Sequence, residues 1–119
     1  MTFEIGTTTL GLLHDGTTTL IQKRPGPPER VDGHGIGVVS LSGPAPHGGE
    51  MHPDGDEVLI LLSGRMTVTL EESDGTRSVE VFAGQGLVVP KGVWHQVLPE
   101  EPCQLIHVTP GPGGEHRPL

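Results

Sequence analysis

Cysteine occurs once in the 119 residues, at Cys103, so no intrachain disulfide can form and nothing in the cysteine usage points to an oxidising compartment. Cations are also scarce: seven Lys and Arg stand scattered against fifteen Asp and Glu, a formal net charge of -8. Binding along a phosphate backbone needs a basic stripe, which this distribution does not make, and no helix-turn-helix pattern or basic region is present. Nucleic acid is therefore not an expected partner, and the acidity reads as solubility. No run approaches the roughly 18 apolar residues of a membrane span, and the N-terminus lacks the basic start and long apolar stretch of a secretory signal. The expectation is a cytoplasmic protein with no membrane partner.

Helical periodicity is missing as well. Gly 19 and Pro 12 are heavy for a helical chain, since Gly weakens a helix interior by about 1 kcal/mol and Pro by about 3 relative to Ala. What remains is β structure in one domain spanning residues 1–119, a length suited to a single core. Gly6-Thr7-Thr8-Thr9-Leu10 is echoed by Gly16-Thr17-Thr18-Thr19-Leu20 across His14-Asp15-Gly16, which reads as an N-terminal hairpin within residues 3–22. Lys23 to Gly35, with Pro25, Pro27, Pro28 and Gly33, reads as a surface loop.

Ile36 to Leu41 resumes a strand, and Ser42 to Gly49 breaks it. Glu57 to Leu62 is apolar on both parities, as in a strand covered on both faces. Arg65 to Leu70 alternates, with Met66, Val68 and Leu70 on one face. Further runs at Val79 to Val81, Leu87 to Val89, Val93 to Leu98 and Cys103 to Thr109 are separated by Gly and Pro turns. About eight to ten short strands imply a sandwich or barrel. The tail, residues 110–119, shows no periodicity and is expected to lie along the surface.

The densest chemistry lies at Glu50, Met51, His52, Pro53, Asp54, Gly55, Asp56 and Glu57. Residues two apart on a strand share a face, so Glu50 and His52 can point inward together. Pro53 to Asp56 is a turn by composition, which would return Glu57 beside them on the second strand of one hairpin. His95 shares its parity with Val93 and Val97, and so with core residues.

These residues are spaced as in the cupins, which the chain resembles over about residues 36–109. The first cupin motif, G-x5-H-x-H-x3,4-E-x6-G, is similar to Glu50-Met51-His52, four residues, Glu57, six residues, Gly64. The second, G-x5-P-x-G-x2-H-x3-N, is similar to Gly84, five residues, Pro90-Lys91-Gly92, two residues, His95, three residues, Pro99. Three departures stand out. Glu50 occupies the place of the first histidine, Gly43 lies one residue out of step with the leading glycine, and Pro99 stands where Asn is frequent.

The resemblance implies an all-β double-stranded β-helix, a jelly-roll barrel with a divalent metal at its centre. Its ligands would be Glu50, His52, Glu57 and His95. With Glu50 bound, two imidazoles and two carboxylates favour Fe(II) or Mn(II), with Zn or Ni also accepted. Without it, His52, Glu57 and His95 form a two-His-one-carboxylate triad, an arrangement found in non-haem iron oxygenases. A third reading is a metal-free hydrogen-bonded network.

The expected function is a dioxygenase-like, metal-dependent enzyme acting on a small organic molecule in an apolar barrel lined by Leu59, Leu61, Met66, Val68, Val79 and Val81. The alternative is a non-catalytic module that binds a metal or small ligand. His47 reads as a solvated loop residue, and His107 as a pocket-lining acid/base or an ordinary strand residue. His14, His34 and His116 read as exposed, Cys103 as a small buried hydrophobe, and Lys91 and Arg65 as solvated or as contacts to an anion. Val58, Ile60 and Leu62 face away from Glu57, which predicts a homodimer.

Overall fold

Short runs of β-branched and aliphatic residues between Gly and Pro turns build two antiparallel sheets, seen in a computed structural model that describes residues 1–26 and 28–119. Pro27, one of the prolines in the expected loop, lies outside the described residues. The strands are β1 (Thr8–Leu13), β2 (Thr18–Gln22), β3 (Gly33–Leu41), β4 (Gly49–Met51), β5 (Glu57–Ser63), β6 (Arg65–Glu72), β7 (Gly75–Phe82), β8 (Gly86–Val89), β9 (Trp94–Pro99), β10 (Cys103–Pro110) and β11 (Glu115–Arg117). One sheet has the order β2-β1-β3-β10-β5-β8 and the other β11-β4-β9-β6-β7. The result is an all-β jelly roll of two facing sheets that do not close on one another. Among the described residues there is no helix long and apolar enough to cross a membrane.

The core sits between the sheets and follows from strand alternation. Met66, Val68 and Leu70 of β6 point inward and meet Leu59 and Leu61 of β5, with Val81, Val89, Cys103 and Leu105 completing the cluster. The opposite parity of β5 points outward, leaving Ile60 and Leu62 exposed. Cys103 is a buried hydrophobe, as expected from its type.

Three expectations change. Strand β3 starts at Gly33, not Ile36, because the residues that suggested a loop alternate with His34 and Ile36 and pair with β1 and β10. The tail is not merely laid on the surface: β11 pairs with β4, and Gly48 N–H donates to the Arg117 carbonyl at 2.8 Å. Arg117 also bonds Glu71 at 2.6 Å and lies 4.0 Å over the Trp94 ring. Finally, the turn from Pro53 to Asp56 does not close a hairpin. It carries the chain from β4 in one sheet to β5 in the other, so the residues flanking it face each other across the barrel.

Candidate metal centre

Three local arrangements place the four candidate ligands. Glu50 lies opposite His95 in the β4–β9 ladder, and Glu57 opens β5 opposite Val89 of β8. His52 follows β4 directly, and its carbonyl accepts the N–H of Gly92 at 2.9 Å. Lys91 N–H donates to Asp56 Oδ1 at 2.8 Å, so the turn before β5 and the turn before β9 are bonded to each other. That link lets loops 35 residues apart in sequence converge.

The four side chains meet. Ligand-capable atoms of Glu50, His52, Glu57 and His95 all lie within 4.8 Å of one another. His95 Nε2 is 3.0 Å from Glu57 Oε1, and His52 Nε2 is 3.2 Å from Glu57 Oε2 and 3.5 Å from Glu50 Oε2. The two imidazole centroids are 5.4 Å apart. Glu57 is oriented further by Thr109, whose hydroxyl donates to Oε2 at 2.6 Å.

His52, Glu57 and His95 are buried, and Glu50 is half-buried at the outer side. Both ring nitrogens of His52 lack a well-aligned hydrogen bond, although Nε2 points at two carboxylates. A buried imidazole nitrogen without a partner is costly. A cation among the four side chains would give Nε2 a partner in place of the proton it otherwise shares with Glu50 and Glu57, and two imidazoles with two carboxylates suit a divalent ion. The residues present therefore fit a metal.

The electrostatics follow from packing charges together. Burial disfavours the charged form of His52, but the carboxylates of Glu50 and Glu57 outweigh it and raise its pKa to about 9. Burial likewise pushes Glu57 upward, yet His52, His95 and Thr109 hold it well below the usual carboxylate range. Glu50 is also lowered: burial acts against ionisation, while His52 and His47 favour it.

Two histidines outside the motifs join the site. His47, expected to be solvated, is half-buried: its Nδ1 accepts the Gly49 N–H at 3.2 Å and its Nε2 lies 2.9 Å from Glu50 Oε1. His116, in register with Glu50 on β11, brings Nε2 to 3.7 Å from the same oxygen. Sequence offered no signal for His116 because its strand is three residues long. His14 is exposed and paired with Asp32 at 3.1 Å, and His34 is half-buried on β3.

A cavity of about 960 Å³ reaches the cluster. Its apolar wall is built from Val39, Leu41, Leu59, Val97 and Leu105, with His107 and Thr109 on the same lining. Of the six apolar residues expected to line it, only Leu59 does; Leu61, Met66, Val68 and Val81 are packed core, with Val79 against them. The cations at the cavity are Lys23, Arg24 and Arg30. Lys91 and Arg65, considered for an anion from sequence, are exposed residues that do not line it.

Two facing sheets with inward histidines and carboxylates at the end of the barrel define a jelly roll with a metal-competent centre. The chain belongs to the cupin family: the family model for the cupin domain, Cupin_2, matches residues 40–109. Among solved structures, the chain is similar to the Bacillus subtilis oxalate decarboxylase with Mn(II) centers, at 21% identity and TM-score 0.61 over 70% of this chain. It spans only 23% of that enzyme's chain. It is similar to the conserved SPY1581 protein of unknown function from Streptococcus pyogenes, at 29% identity and TM-score 0.55, covering 67% of this chain and 66% of that one. A cupin-2 domain containing protein from Shewanella frigidimarina matches at 22% identity and TM-score 0.57, covering 76% of this chain and 85% of that one. No curated protein matches the chain.

Proposed function

We propose that the chain is a metal-dependent cupin enzyme, dioxygenase-like in type, that holds a divalent ion through Glu50, His52, Glu57 and His95 and acts on a small organic molecule in the adjoining cavity. The observation that carries this is the buried His52 imidazole, aimed at Glu50 and Glu57 without an aligned hydrogen bond. The Mn(II) centers of the structurally similar oxalate decarboxylase support Mn(II), and the mixed imidazole and carboxylate donors suit Fe(II) equally. A bound ion of this kind supplies Lewis acidity and redox chemistry.

The protein's own residues do the rest. Thr109 fixes the Glu57 carboxylate, and His47 holds the outer oxygen of Glu50, leaving Oε2 turned towards His52. Val39, Leu59, Val97 and Leu105 give the substrate a dry wall on which to lie. A second copy of the chain is proposed to cover the outward face of β5, where Ile60 and Leu62 are exposed.

The test is elemental analysis of protein expressed with iron and manganese, followed by oxygen uptake against small acids and phenols. One ion per chain, lost in His95→Ala, with oxygen consumption for some substrate is the expected result. Stoichiometric metal without turnover, but with ligand-induced thermal shifts, makes the chain a binding module instead. Absence of stoichiometric metal overturns the proposal.

A further inference from the structure

We propose that His107 is the substrate-facing base of the cavity, presenting an unprotonated Nε2 to the hydroxyl of a small organic anion whose carboxylate is met by Lys23, Arg24 and Arg30. This rests on reading the cavity as a small-molecule site and names the substrate class it takes.

Hydrogen-bond bookkeeping fixes the tautomer. Thr109 donates to Glu57 Oε2 at 2.6 Å and so commits its single hydroxyl proton to that bond. The Thr109 oxygen can then only accept from His107 Nδ1, 2.8 Å away, which places the ring proton on Nδ1. Nε2 is left with a free lone pair. The relay His107 to Thr109 to Glu57 runs along the inner parity of β10 and ends on a side chain of the metal cluster.

The ring has room because of one missing methyl group. His107 is in register with Gly37 on β3, and a Cβ there would lie 2.8 Å from His107 Nε2 and 3.3 Å from Thr9 Oγ1. Glycine at this position lets the imidazole reach across the strand while remaining on the cavity lining.

Charge defines the ligand. Three of the chain's seven Lys and Arg line this one cavity, in a protein of net charge -8. Against Lys23, Arg24 and Arg30 stand Glu29, Glu50 and Glu57, so a divalent ion among the latter leaves the lining with net positive charge. Burial lowers the His107 pKa and so favours the neutral ring; Glu57 and Glu50 act in the opposite sense, Arg30 and Lys23 in the same one. A neutral acceptor beside cations and an apolar wall selects a small hydroxy acid. On proton transfer the substrate O–H bond breaks, its electron pair stays on oxygen, and an N–H bond forms at Nε2. The imidazolium remains bonded through Thr109 to Glu57.

Nitrogen-15 NMR of metal-free and Zn(II)-loaded protein reads the tautomer without turnover. The expected result is a protonated Nδ1 and an unprotonated Nε2 for His107, kept in Thr109→Ser and lost in Thr109→Val. Glycolate titrated into the Zn(II)-loaded protein is expected to shift Nε2 and to bind about 5–10-fold tighter than acetate, a preference that disappears in His107→Phe. A protonated Nε2 in the wild type overturns the proposal, as does failure of glycolate to bind or equal binding of glycolate and acetate. Failure of Zn(II) to bind, by elemental analysis, instead overturns the metal reading, while the metal-free tautomer still decides the state of His107.

Discussion

The amide of Gly92 donates to the carbonyl of His52 across 2.9 Å, fastening the loop that precedes His95 to the segment that carries His52. Together with the Lys91 to Asp56 bond at 2.8 Å it makes the two motif loops one unit. The spacing of the candidate ligands in the chain is thus translated into their spacing in the barrel by backbone groups and the Asp56 carboxylate, not by the candidate ligand side chains themselves.

Asp56→Ala tests that link without touching a ligand. The loss of a charge-assisted hydrogen bond at an exposed position costs little stability, about 1 kcal/mol. The positioning of His95 against His52 and Glu57 suffers more. We expect about tenfold weaker Zn(II) binding by calorimetric titration, with Tm lowered by only a few degrees. Unchanged affinity would show that the loops are held by other contacts.

The pKa of His52, raised from 6.5 to about 9 in the metal-free protein, sets a pH dependence. A raised folded-state pKa contributes stability that is complete below 6.5 and is lost as pH rises through about 9. Glu57 is depressed from 4.5, so its contribution is present above 4.5 and is lost as pH falls below it. Metal-free protein should therefore have its highest Tm between about 4.5 and 6.5 and lose stability towards pH 9. Metal must displace the His52 proton, so Zn(II) affinity should rise over that same alkaline interval. Calorimetry in buffers of different ionisation enthalpy should count about one proton released per ion near neutral pH.

Gly64, between β5 and β6, has φ +82°. A Cβ there would collide with the Pro102 carbonyl and with Cys103. Left-handed backbone costs a non-glycine residue about 1–2 kcal/mol before any clash. Gly64→Ala should lower Tm by on the order of 10 °C in the metal-free and metal-loaded forms alike. Circular dichroism melts check this, and a change seen only with metal would place the effect at the centre instead of the turn.

Much of the candidate site was legible because the spacing of ligand-capable residues and strand parity are local properties. Glu57 and Gly64 bracket a strand, and Gly84, Pro90, Gly92 and His95 lie on the turns and strand that the composition marks. The alternation of Met66, Val68 and Leu70 likewise specifies the face they bury. The crossing from β4 to β5 was hidden, because Pro53-Asp54-Gly55-Asp56 encodes a turn but not which sheet receives the next strand. His116 was hidden too, since β11 gains its order by pairing with β4 and not from its own three residues. Lys23, Arg24 and Arg30 gather at the cavity by tertiary contact from a loop whose periodicity carries no information. Gly33 and Gly35 misled for a related reason: a Cβ at Gly33 would run into the backbone of Leu12 on the neighbouring strand, so a glycine that reads as loop is what lets β3 begin there.

The outer face of the six-stranded sheet makes the last prediction. Register places Val58 beside Val88 and Val108, and Ile60 beside Ile106, so these side chains form one continuous apolar surface. Ile60 and Val88 are 37% and 54% exposed in the single chain. An apolar surface of this extent on a sheet face favours burial against another copy, and a symmetric pair would present the same residues from both sides. A charge at its centre would be desolvated on association, at a cost of several kcal/mol. Ile60→Lys is therefore expected to shift sedimentation from dimer to monomer at micromolar concentration, leaving Zn(II) stoichiometry intact because residue 60 points away from Glu57. A wild-type chain that sediments as monomer throughout that range would remove the dimer while leaving the proposed metal site untouched.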